Sequence, residues 1–181
     1  MALTEGTVDS SALIVGDWSE ISIEYPAQSG TWLYVGNCPE GVCEVSKEDY
    51  QHEGTNFPRK VDLVVPIRTG MKFTGRIEEI HVENLRLVLG MDPTNVNNYV
   101  YVGALTTPTY FTFRAQRQRN SDAQEITFKM FKAQSSGLMQ IAGGDEAIST
   151  PIEIIALDDA AGNYGGSDAA PLGYIYLPAK A

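Results

Sequence analysis

The chain is short of basic residues, cysteine, histidine and long apolar runs, and each shortage excludes something. Thirteen Lys and Arg stand against 23 Asp and Glu, giving a net charge of −10 over 181 residues. A surface this acidic does not hold nucleic acid by neutralising phosphates. The imbalance is also uneven. From Met1 to Ser46 there are seven acids and no Lys or Arg, from Lys47 to Lys132 twelve basic residues against ten acids, and from Ala133 onward six acids face Lys180 alone. The basic middle of one copy is therefore suited to meet an acidic stretch of another.

Two cysteines, Cys38 and Cys43, bracket Pro39-Glu40-Gly41-Val42, and the only histidines are His52 and His81. There is no CxxC spacing and no second pair, so neither a disulfide framework nor a zinc site is expected. Two free thiols or one local disulfide remain. Runs such as Leu63-Val64-Val65 and Leu87-Val88-Leu89 fall far short of a bilayer span, and Ala12-Leu13-Ile14-Val15 lacks the basic flank of a secretion signal. The expectation is a chain made in the cytosol, with no signal peptide and no membrane partner.

Signatures of catalysis are missing as well. No Gly-x-Ser-x-Gly, no phosphate-cradling glycine loop and no His-Glu-x-x-His occurs. Glu78 and Glu79 are adjacent, and neighbours on a strand point to opposite faces, so they cannot flank one bond as acid and base. The acids of Asp158 to Asp168 miss the positions of a calcium loop and read as turn chemistry. No catalytic residue, cofactor or metal is expected.

What is present is strand pattern around one helix. Val61 to Ile67 and Met71 to Ile80 read as two strands divided by a turn at Arg68-Thr69-Gly70. Val82, Leu85, Val88 and Leu89 then fall at helical spacing, closed by Gly90. A helix over about 81–89 is only ~13 Å long and needs a sheet to lie on. Further strands are expected over Ser11 to Gly16, Glu20 to Tyr25 (one buried face, one wet), Thr31 to Val35, Tyr99 to Gly103, Pro151 to Leu157 and Leu172 to Leu177. Tyr110 to Ala115 and Ile126 to Lys132 read as a hairpin, with Phe111, Phe113, Ile126, Phe128 and Met130 inward. Its Arg114, Arg117, Arg119, Lys129 and Lys132 have the parity of a charged outer face. Gln134 to Thr150 reads as a loop or loose helix. The fold class is mainly β, a sandwich or barrel with one short flanking helix, in a single domain over 1–181.

Between Gly36 and Phe57 the strand pattern lapses, so 36–59 is expected to be a projecting loop or hairpin arm, and 158–171 a loop tip. Lys47, Asp49, Tyr50, His52 and Arg59 on the arm, with Arg114, Arg117 and Arg119, are the candidates for contacts between subunits.

The strand running into Glu79-Ile80 and the helix Val82-Glu83-Asn84-Leu85-Arg86-Leu87-Val88-Leu89-Gly90 resemble the tail tube proteins of long-tailed, siphophage-type bacteriophages. In that family an acidic strand end leads into Pro-Glu-Asn-Leu and closes on Leu-Gly. Val82 stands where proline is frequent, and Arg86 where a small residue is frequent. Pro151 to Asp158, a glycine-containing tip and a last aromatic strand are similar to the end of the same family. The resemblance implies a β-sandwich with one flanking helix, as in the tubes of contractile tails and type VI secretion. Hexameric rings would close a barrel around a lumen and stack into a conduit for genome delivery. It implies a virion tail protein, assembled in the host cytoplasm, with itself, tape measure, terminator and distal tail proteins as partners. Double-stranded DNA would pass without sequence-specific binding, with Glu78, Glu79, Glu125 and Glu153 as lumen candidates. Competing readings are a tail terminator or head decoration protein, or a carbohydrate-binding or adhesive sandwich offering Trp18, Trp32, Tyr99 and Tyr101.

Overall fold

A computed structural model describes residues 18–53, 61–78, 81–93, 99–100, 109–118, 124–136 and 150–178, with the backbone alone at 19, 51–53 and 61–67. The strand expected over Ser11 to Gly16, most of that over Tyr99 to Gly103, and Arg59, Glu79, Tyr101 and Arg119 lie outside the described residues. The elements are β1 (Trp18–Glu24), β2 (Trp32–Cys38), β3 (Val42–Glu53), β4 (Val61–Ile77), α1 (Val82–Val88), β5 (Phe111–Gln118), β6 (Glu125–Ser135), β7 (Thr150–Leu157) and β8 (Gly173–Tyr176). All pairings are antiparallel, in the order β2-β1-β5-β6-β7-β4-β3, with β8 also on β6.

β2 and β3 stand at opposite ends of this path, yet only Pro39-Glu40-Gly41 joins them. The sheet must therefore roll until its two ends approach. Gly75 on β4 receives that turn: a Cβ there would collide with Cys38 Sγ and come within 3.1 Å of Gly41 Cα. Inside the roll lie Ile21, Ile23, Phe73, Phe111, Phe113, Phe128, Met130 and Ile154, all at most 1% exposed. Phe73 and Phe113 meet at 5.0 Å, with Trp18 edge-on to Phe73 at 6.4 Å. Each such side chain contributes about 1.5–3 kcal/mol on burial, so the alternating residues of β1, β5, β6 and β7 hold the fold. The chain is mainly β, with one short helix among the described residues, consistent with a sandwich.

α1 ends as its sequence predicts. Gly90 takes φ +70°, its N–H donates to Leu87 O, and Met91 N–H donates to Arg86 O at 2.8 Å, satisfying the last carbonyls. The buried face differs from the expected stripe: Asn84, Arg86, Leu87 and Val88 are buried, while Val82, Leu85 and Leu89 are half-buried. The face turns toward β2 because the Asn84 amide donates to Val35 O at 2.6 Å; at the other end Ser135 Oγ on β6 donates to Val88 O at 2.7 Å. The helix thus spans the mouth of the roll.

Four further expectations are corrected. The presumed turn at Arg68-Thr69-Gly70 lies inside β4, which runs on with Gly70 opposite Ser46. Next to it Ile67 is an extra residue between Arg68, opposite Glu48, and Pro66, opposite Asp49. A bulge accommodates proline and resembles a turn in sequence. The stretch from 42 to 53, within the expected projecting loop or hairpin arm, is strand β3 paired with β4, which fits the hairpin alternative. The wet face of β1 is covered: Ser22 and Glu24 are buried, the first under Arg114 Nε at 3.2 Å and the second accepting from Gly30 N at 2.6 Å. Tyr99 and Val100 fall outside any strand, and Gln134 and Ser135 belong to β6.

β7 and β8 lie on one line along β6. Leu157 faces Lys132, and Gly173 faces Met130. The tip between them is an excursion organised by buried Asp159, whose Oδ2 accepts from Tyr164 N and Gly166 N, both at 2.8 Å. Turn chemistry accounts for this acid, as expected.

Candidate functional site

Cross-strand register builds a row over the outer face of the roll. Tyr34 on β2 is opposite Ser22 on β1, Ser22 opposite Arg114 on β5, Arg114 opposite Lys129 on β6, and Lys129 opposite Tyr174 on β8. Five strands at ~4.8 Å spacing make it about 19 Å wide. Arg114 lies over the Trp32 ring at 4.2 Å and donates to Glu20 at 3.0 Å. Lys129 Nζ sits among three rings, 5.4 Å from Trp32, 5.7 Å from Phe131 and 5.9 Å from Tyr174. Two cations facing each other across a ladder repel; here the rings and Glu20 offset that repulsion.

Arg117 does not belong to this face. Three residues beyond Arg114 on β5, it points the other way, opposite Ile126, with its guanidinium 5.6 Å from the Trp18 ring. The expectation of one basic outer cluster is corrected accordingly. Lys132 turns to the tip, 4.9 Å from Tyr110 and 5.8 Å from Tyr164. Trp18 is occupied too, its indole N–H donating to Gly41 O at 2.9 Å.

The second feature is the arm. β7 pairs with β4 only over Lys72–Ile77, whereas β3 pairs along β4 as far as Val61. Among the described residues, Val45–Glu53 and Val61–Met71 therefore form a two-stranded ribbon, roughly 30 Å long at ~3.3 Å per residue. Where it parts from β7 a cleft of about 390 Å³ opens, lined by Glu44, Lys47, Arg68, Lys72, Ile155 and Leu157. Lys47 pairs with Asp49 at 3.0 Å, and Tyr50 is exposed. His52 is on β3, where only its backbone is described.

The lumen candidates are not gathered. Glu125 opens β6 and accepts from Gln116 Nε2 at 2.9 Å; Glu153 on β7 pairs with Lys72 at 3.2 Å and adjoins Ser136, at the far end of β6. About ten residues of strand, roughly 33 Å, separate them. Glu78 is exposed just past the end of β4 rather than on a strand.

Cys38 and Cys43 are free thiols, the first buried. Burial, then the neighbouring Cys38, push the Cys43 thiol well above its usual range, with Arg117 opposing. Among the described residues no group of three or more His, Cys, Asp or Glu is placed to hold a metal, and no helix is long and apolar enough to cross a membrane. The sequence matches no protein-family model and no curated protein.

Proposed function

We propose that this chain is a structural virion subunit that assembles as stacked hexameric rings into a phage tail tube, a conduit for DNA. The observation that carries the reading is the arm: a two-stranded ribbon of this length is marginal alone in water and gains stability from a further strand or surface. Its exposed Val45 and Tyr50 favour such cover. The net charge of −10 supports passage of DNA without adhesion. Tape measure, terminator and distal tail proteins are the further partners of this reading, and the host cytoplasm its place of assembly. A sugar-binding platform gains little from the tryptophans, because Trp32 is covered by Arg114 and Trp18 is packed on Phe73, which leaves Tyr99, 68% exposed, as its support among the described residues. Electron microscopy of the purified protein should show rings or tubes with a central bore. A monomer at every concentration and salt would sink the proposal.

A further inference from the structure

The strand edges of the roll are guarded unequally. At β2 the helix stands by, with Asn84 on Val35 O. Along β3 the exposed charges Glu44, Lys47 and Glu48 discourage pairing. β8 has neither guard. No charged residue occurs between Asp168 and Lys180, Tyr174, Ile175, Tyr176 and Leu177 are 43%, 49%, 56% and 62% exposed, and among the described residues β8 pairs with β6 alone. Pro171 and Pro178 bracket it and confine any added pairing to this short stretch.

We propose that β8 is the edge on which a second copy of this chain docks, and that the docking element is that copy's β3–β4 arm. The inference rests on the tube reading and names the seat that reading leaves open. Among the described residues nothing covers either surface, Val45 and Tyr50 being 56% and 54% exposed. They are different surfaces, so their union is head-to-tail and repeats around a ring. β8 alone is too small for a stable interface, which needs about 800 Å² on each partner. Tyr174, however, continues into the row of Lys129, Arg114, Ser22 and Tyr34, whose width of about 19 Å suits a ribbon of strand. Tyr, Trp and Arg are the residues that carry protein interfaces. Lys129 has no acidic partner among the described residues, and the sequence of the arm carries Glu48, Asp49, Glu53 and Asp62 against Lys47 and Arg68.

The test is cross-linking of the full chain. Val45→Cys and Ile175→Cys variants are mixed and mildly oxidised, with wild type as control, since Cys38 is buried and Cys43 holds its proton. Linked dimers should come from the mixture and from neither variant alone. Linked dimers from Ile175→Cys alone would mean a two-fold β8 pairing and overturn the proposal. Tyr176→Lys, which gives the edge a charge, should abolish assembly with an unchanged melting temperature; undiminished assembly would overturn it. Retention of wild type on DNA, lost in Lys129→Glu, would make the row a nucleic-acid surface and overturn it too. Rings without the mixed cross-link defeat this inference alone, whereas the cross-link without rings at any concentration defeats the tube reading alone.

Discussion

Asn84 on α1 donates its side-chain amide to the main-chain oxygen of Val35 on β2 at 2.6 Å, and both residues are buried. Val35 is the extra residue in the β2 ladder, since Ile21 faces Gly36 while Ser22 faces Tyr34. One polar side chain therefore serves a carbonyl at a bulge and anchors the only described helix. Asn84→Ala should leave that carbonyl without its donor, at about 1–3 kcal/mol, less about 0.6 kcal/mol for alanine's better helix propensity. Thermal unfolding by circular dichroism should show a melting temperature lower by about 1–10 °C. An unchanged value would remove α1 from the account of the fold.

Asp159 holds the tip through one carboxylate oxygen that serves two backbone N–H groups. Asp159→Ala should cost about 1.5–3 kcal/mol of local stability, the range for a hydrogen bond to a charged group. Hydrogen exchange at the Tyr164 and Gly166 amides should accelerate, while amides of β5 and β6 keep their protection. Asp159→Asn, which retains a carbonyl oxygen, should lose less.

Arg114 joins Trp32, Glu20 and Ser22. Replacing it by alanine should cost about 1–2 kcal/mol, chiefly the stacked contact, because the Glu20 carboxylate is 44% exposed and its ion pair is largely screened. Tryptophan emission should shift to longer wavelength as Trp32 is uncovered. Arg114→Lys should recover charge but not the planar stack.

Alkaline pH should destabilise the protein. Burial raises the Cys43 thiol above its ordinary 9.0, so the folded chain keeps a proton that the unfolded chain releases. Stability from this source is complete below about pH 9 and declines as pH rises beyond it. Burial raises Tyr25 and Tyr164 above 10.0 as well, extending the decline. Urea titrations from pH 7 to 10.5 should show the loss, and Cys43→Ser should flatten its first part. In native protein at pH 8, alkylation of Cys43 should be slow and should become fast in denaturant.

Much of this fold is legible in sequence wherever a strand has one dry face. Ile21 and Ile23, Phe111 and Phe113, and Phe128 and Met130 alternate because a core lies on one side only. β3 hides because β7 does not extend beneath its outer half, and Lys47 to Glu53 shows no apolar alternation at all. Arg68-Thr69-Gly70 misleads because a bulge draws on the same residues as a turn. Arg117 sits inward at the end of β5, where the roll brings Trp18 and Cys43 near it; parity read from Arg114 alone was enough to place it, had the ladder been extended three residues. The row from Tyr34 to Tyr174 has no local signal, since cross-strand register joins residues up to 140 positions apart.

β7 and β8 share one line beside β6, so the chain departs after Leu157 and returns at Gly173 almost where it left. The exposed Ala160-Ala161 at the crown of that detour is accordingly a splice site. A foreign epitope inserted there would project from the tip while β7 and β8 keep their pairing with β6, so the label would be carried without a change in the sheet.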